Sequence, residues 1–144
     1  MTASSGWFMW AVWSAVFAAL TAIFAKVGLQ GVNSDLATLV RTVIILAVLS
    51  AFVAYTGVWR NPLTLPGRTW CFLGLSGLAT GASWVCYFRA LQAGEASKVA
   101  PVDKLSIVLV ALFAFAFLGE RPSLREWTGI ALVAGGLVLL ALKR

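Results

Sequence analysis

The chain has 144 residues, with 11 lysines and arginines against 5 acidic residues, no histidine and a net charge of +6. Its apolar fraction is 61% and its mean hydropathy +0.94, against roughly 45–50% apolar residues in a soluble domain. This excludes a soluble catalytic domain, and the basic residues flank the apolar runs as headgroup anchors, so no exposed basic face exists for nucleic acid.

The apolar runs are Trp7–Ala25, Ala37–Gly57, Trp70–Phe88, Val99–Leu118 and Trp127–Leu142, each long enough to span a hydrocarbon core of about 30 Å. In lipid every backbone polar group needs an internal partner, which leaves helices or a closed barrel. Barrel strands alternate over about 10 residues, and these runs are longer and continuously apolar. The expectation is an all-α polytopic membrane protein, one domain over residues 1–144 with five transmembrane helices.

Met1–Gly6 carries no basic n-region and the first span runs on without a cleavage site, so that span is expected to remain as a signal anchor. Trp7, Trp10 and Trp13 share one helical stripe. The first two suit an interfacial belt, whereas Trp13 lies deeper and either packs between helices or lines a cavity. Lys26 closes the span, and Gly28, Gly31 and Asn33 are expected to form the turn.

The second span begins near Asp35 and carries Arg41 about one turn inside its apolar boundary. A charge at a helix centre costs roughly 2.5–3.5 kcal/mol, and less near the end, so Arg41 either snorkels or faces inward. Thr56–Arg68, with Gly57, Pro62, Pro66 and Gly67, reads as a surface connection.

In the third span Gly74, Gly77, Gly81 and Trp84 fall on one face, where small residues let a neighbouring helix approach. Ser83, Trp84, Tyr87 and Arg89 bring hydroxyl, aromatic and cationic groups to one end of it. Cys71 and Cys86 lie on this same helix roughly 22 Å apart, beyond disulfide reach. With no histidine and 2 cysteines, a zinc or haem site has no ligand set, and neither metal nor cofactor is expected.

The polar interval Arg89–Lys104 holds Arg89, Glu95, Lys98, Asp103 and Lys104. Pro101 fits the first turn of the fourth span, which would put Asp103 near the positive end of that helix. Gly119-Glu120-Arg121-Pro122 stops the span. Ser123 is a candidate N-cap for the fifth helix, with Glu126 completing a capping box. Gly129, Ala131, Gly135 and Gly136 give that helix a second small-residue face, and Lys143 and Arg144 close the chain.

From Lys98 to Leu142 these features form a pattern. Ala100-Pro101 and Leu105 lead into an aromatic-rich span ending Leu118-Gly119-Glu120, followed by Trp127, Gly129 and Gly135-Gly136. This resembles the EamA domain of the drug/metabolite transporter superfamily, as do Phe24-Ala25-Lys26 and Leu39-Val40-Arg41 nearer the start. The resemblance implies a helical carrier that exports small metabolites, amino acids or drugs. Typical members have ten spans in two five-span repeats of inverted orientation, and this chain matches one repeat. It therefore implies a homodimer in a bacterial inner membrane, the second copy supplying the missing repeat in parallel or antiparallel orientation. Short members of the superfamily also suggest an alternative, a non-enzymatic subunit or a flippase component for a lipid-linked carrier. The four-span small multidrug resistance transporters use a glutamate in their first span for proton exchange. Trp7–Ala25 has no acid, so that mechanism does not carry over.

Loop charges bear on orientation. Arg60, Arg68, Arg121 and Arg125 fall on one face, and Lys26, Arg89, Lys98, Lys143 and Arg144 on the other, joined by Arg41 and Lys104 if these snorkel. The bias is small, leans toward a cytoplasmic C-terminus and permits dual topology.

No catalytic constellation is visible: serines lack a histidine base, and no phosphate-binding glycine loop occurs. The substrate-pathway candidates are Trp13, Arg41, Trp84, Tyr87, Arg89, Asp103 and Lys104. Trp84 and Tyr87 either cradle a substrate through their ring faces or pack between helices. Arg41 and Arg89 either receive an anionic group or snorkel. Asp103 either pairs with Lys104 of a second copy, titrates with substrate, or caps its helix. Glu120 and Arg121 read as parts of a fold-defining turn. Gly74, Gly77, Gly81, Gly129, Gly135 and Gly136 are the helix-packing candidates.

Overall fold

The structure is a computed structural model and describes residues 6–142. The helices are α1 (Gly6–Gly28), α2 (Ser34–Tyr55), α3 (Gly67–Ala93), α4 (Ala96–Asp103), α5 (Ser106–Phe113) and α6 (Leu124–Ala141). A 3₁₀ turn at Pro62–Thr64 precedes α3, and a π-helical turn at Ala114–Leu118 extends α5. No strand occurs among the described residues. Five helical stretches are long and apolar enough to cross a membrane, the fourth being Ala96–Leu118. The protein is an all-α integral membrane protein. The leader reading over Met1–Ser5 and the charges of Lys143 and Arg144 lie outside the described residues.

Every spanning helix begins before the apolar stretch that announces it, because helical hydrogen bonding reaches into the headgroup zone while hydropathy reports the lipid-facing middle, whereas α2 stops at Tyr55, short of the expected Gly57, and α6 at Ala141. Gly28 is the last residue of α1 and not part of the turn, which is made by Gly31 at φ +73°. The polar interval is almost wholly helical: α3 continues to Ala93, and α4 starts at Ala96.

This shifts Pro101 from the expected first turn into the interior of α4. Proline has no N–H to give the preceding turn, and α4 ends soon after it. The next amides reach back only three residues: Lys104 N to Pro101 O at 2.9 Å, Leu105 N to Val102 O at 3.0 Å and Ile107 N to Lys104 O at 3.0 Å. That is a 3₁₀ joint, so the fourth span is discontinuous. Asp103 is accordingly the last residue of α4, at its negative end, and not at the positive end expected for it. Neither α4 nor α5 has a side-chain N-cap.

The chain divides into two compact units, and the boundary falls inside α1, between Ile23 and Phe24. In the unit of residues 24–93, α2 packs on α3. Ser34, Thr38, Leu29, Phe88 and Leu91 are buried there. In the other unit, of residues 6–23 and 94–142, α4 and α5 pack on α6. Ala114 and Leu137 are buried there, and Phe115 meets Trp127 edge-on at 6.1 Å. Most other large apolar side chains, Phe52 and Leu78 among them, stay exposed, as helices solvated by lipid tails require.

Candidate functional site

Within residues 24–93 the junction of three helix ends is built from polar side chains. Asn33 caps α2, its Oδ1 accepting from Asp35 N at 2.9 Å and Leu36 N at 3.3 Å. Asp35, in the first turn, complements the positive end of that helix. Arg89 of α3 grips it bidentately, Nε to Oδ1 at 2.9 Å and Nη2 to Oδ2 at 2.7 Å. The last turn of α3 has no basic residue of its own. Lys26 at the end of α1 supplies one, donating from Nζ to Leu91 O at 2.6 Å, and Gln92 donates to Val32 O at 2.8 Å. The final carbonyls of a helix have no partner within it, and a cation is favoured there.

Deeper along α2, Ser34, Thr38 and Arg41 follow one another at i, i+4 and i+7, a single helical face. Thr38 donates to Ser34 O at 2.8 Å and Thr42 to Thr38 O at 2.7 Å, so both hydroxyls are satisfied. Arg41, roughly 10 Å along the helix from Ser34, lays its guanidinium over two rings of α3. These are Trp84, 4.5 Å from the ring centroid, and Phe88, at 5.2 Å. Trp84 and Phe88 stand at i and i+4, which places both under the same cation, and Phe88 is only 2% exposed. Tyr87 adjoins Phe88 edge-on at 6.4 Å.

Arg41 and Arg89 therefore differ in kind. Arg89 spends its fork on Asp35, while among the described residues no carboxylate pairs with Arg41. Ring faces return about 0.5–2 kcal/mol to a cation according to its exposure, and they carry no opposite charge. They hold Arg41 without neutralising it.

The remaining candidates lie in the other unit. Trp13 is exposed and tilted against Phe17 at 6.3 Å. Asp103 pairs with Lys104 of the same chain, at 3.3 Å across the joint between α4 and α5. Ser123 forms the capping box in full, donating from N to Glu126 Oε2 at 2.6 Å and accepting from Glu126 N at 3.4 Å. An open cleft of about 420 Å³ between α5 and α6 is lined by Ile107, Val110, Ala114, Gly129 and Val133, with Glu120 at its rim. At Gly74, Gly77, Gly81, Gly129, Gly135 and Gly136 an added Cβ would meet nothing within 4 Å. Among the described residues no three potential metal ligands gather.

Sequence reasoning missed Asp35 as the partner of Arg89 and Phe88 as the second ring under Arg41. The i, i+4 pairing of Trp84 with Phe88 was a readable signal for the latter. Nothing in the sequence marks the pairing of residues 35 and 89, which depends on how two helix ends meet.

A profile of the EamA-like transporter family matches residues 5–142. A Sinorhizobium protein described as an uncharacterized transporter in the cobO 3′ region is 62% identical over 138 residues, covering 96% of this chain and 98% of that protein. The Salmonella enteritidis protein described as a probable 4-amino-4-deoxy-L-arabinose-phosphoundecaprenol flippase subunit, ArnE, is 33% identical over 83 residues, 56% of this chain and 75% of that protein. No solved structure matches the chain.

Proposed function

Because the chain belongs to the EamA-like transporter family, we propose that it is a secondary carrier of the bacterial inner membrane, exporting small metabolites or drugs by alternating access. The observation that carries this reading is the family match across the five membrane-spanning stretches. A relative described as a transporter, aligned over 96% of the chain, supports it. Residues 1–144 then act as a single EamA domain.

Inverted repeats that rock about a midplane site are a general design for such carriers. A second copy of this chain supplies the second repeat, parallel or antiparallel, and packs against the open glycine faces of α3 and α6. The broken fourth span fits the same scheme, since interrupted helices commonly flank transport sites. Trp13, Arg41, Trp84, Tyr87, Arg89, Asp103 and Lys104 are the proposed pathway residues. No covalent chemistry is required of them.

A specific observation favours a second reading, a subunit that moves a lipid-linked sugar. It is the similarity to a protein described as a flippase subunit.

The test is reconstitution into proteoliposomes at protein-to-vesicle ratios from below one to several copies, with efflux of a trapped metabolite mixture read by mass spectrometry. Efflux rising with the square of low copy number is expected. Efflux from vesicles holding one copy would sink the paired-repeat mechanism. Efflux of nothing, with movement of a fluorescent lipid phosphate across the bilayer, would select the flippase reading.

A further inference from the structure

We infer that Arg41, seated on Trp84 and Phe88, is the binding point for an oxyanion group, a phosphate or carboxylate, inside the membrane. This deepens the carrier reading and rests on it.

The argument is one of charge and donors. Arg41 lies about two turns into a membrane-spanning helix, where a cation is costly and is normally partnered. Its guanidinium sits over two aromatic rings. Stacking engages the face of the group and leaves its edge, where five N–H donors lie in a planar fork. Among the described residues that edge meets no carboxylate. The hydroxyls of Thr38 and Thr42 donate to backbone carbonyls of their own helix, and among the described residues neither accepts a hydrogen bond from Arg41. Arg89 shows what neutralisation looks like in this unit, its fork closed on Asp35. A planar fork held by rigid rings suits bidentate oxyanion binding, and the missing counter-charge is then the ligand's own.

The chemistry is shared by a lipid headgroup phosphate and a soluble phosphate ester, and the experiment separates them. The full chain, purified in an uncharged detergent, is titrated with dodecyl phosphate, glycerol 3-phosphate or dodecyltrimethylammonium, and bound adducts are counted by native mass spectrometry. Variants are Arg41→Gln, Arg41→Lys, and Arg68→Gln as a second arginine stacked on a ring, 5.8 Å from Phe72 at the start of α3.

The expected result is saturable phosphate binding that falls at least about tenfold in R41Q, falls less in R41K and is unchanged in R68Q, with no selective uptake of the cationic amphiphile. Binding of dodecyl phosphate alone assigns a lipid headgroup. Equal binding of glycerol 3-phosphate assigns a soluble ester. The proposal is overturned if neither phosphate binds the wild-type chain, or if R41Q, shown folded by its melting curve, binds as well as wild type. The same proteins in vesicles keep the two readings apart. Arg41-dependent binding without movement of any compound leaves the anion site standing and removes the carrier. Transport untouched by R41Q removes the anion site and leaves the carrier.

Discussion

Arg89, near the end of α3, closes a two-bond fork on Asp35, in the first turn of α2, at 2.9 and 2.7 Å. The pair joins residues 54 apart in sequence and fixes the end of α3 against the start of α2, the helix before it. Its side chains remain 63% and 49% exposed, so water and headgroups screen it and its contribution is small. Asp35→Asn and Arg89→Gln are each expected to lower the melting temperature slightly in detergent, and the double variant to lose less than the sum of the two, more clearly at low salt. Losses that simply add in the double variant would show that the fork contributes nothing.

The Arg41–Trp84 stack gives a larger effect because it is half-buried and rests against the buried Phe88. Trp84→Leu removes the nearer of the two rings and leaves the cation to Phe88. The expected coupling between Trp84→Leu and Arg41→Leu, read from a thermal double-mutant cycle, is about 1–2 kcal/mol. Additive losses would mean that the rings and the cation are neighbours without being partners.

How much of this could be read beforehand varies by residue. The five spans and the Ser123–Glu126 box follow from local pattern, since hydropathy and capping act over one helix. Arg41 and Trp84 were both legible as candidates, but not as a pair. Their meeting depends on the register between α2 and α3, and continuously apolar helices carry little register information. Pro101 was misplaced for a related reason. Its first-turn preference holds only if the helix starts there, and the helix starts at Ala96, in a stretch whose charges read as loop.

Lys26 acts as the missing C-cap of α3, its Nζ 2.6 Å from the carbonyl of the fully buried Leu91. Lys26→Met keeps the length of the side chain and removes the donor. A loss of about 1.5–2 kcal/mol is expected, with Lys26→Arg partly restoring it. Equal melting curves for wild type and K26M would refute the capping role.

Gly119 ends the fourth span in the left-handed region, at φ +69°, and Glu120 N returns to Ala114 O at 3.2 Å. An added Cβ would meet open space there, so the penalty of Gly119→Ala is one of backbone conformation alone, roughly 1–2 kcal/mol. Gly119→Asn should cost less, because asparagine tolerates this region better. The comparison is made by thermal denaturation, and an alanine variant as stable as the asparagine one would show that the turn relaxes.

Pro101 is the residue whose replacement separates folding from movement. It sits inside α4, and the chain turns through the 3₁₀ joint at Lys104 and Leu105 before α5 resumes. Pro101→Ala gives back an N–H that can bond the carbonyl of Ser97, four residues earlier, and removes the ring's clash with that carbonyl, which stiffens α4 leading into the Asp103–Lys104 joint. Alanine is also the better helix former by about 3 kcal/mol in a helix interior, so the variant should insert and melt no lower than wild type. If the interrupted span is where the carrier flexes, that added stiffness slows transport several-fold while ligand binding persists. Reconstituted transport and native mass spectrometry on the same preparation read the two quantities separately. Unchanged transport in P101A would mean that the break shapes the fold without serving the motion.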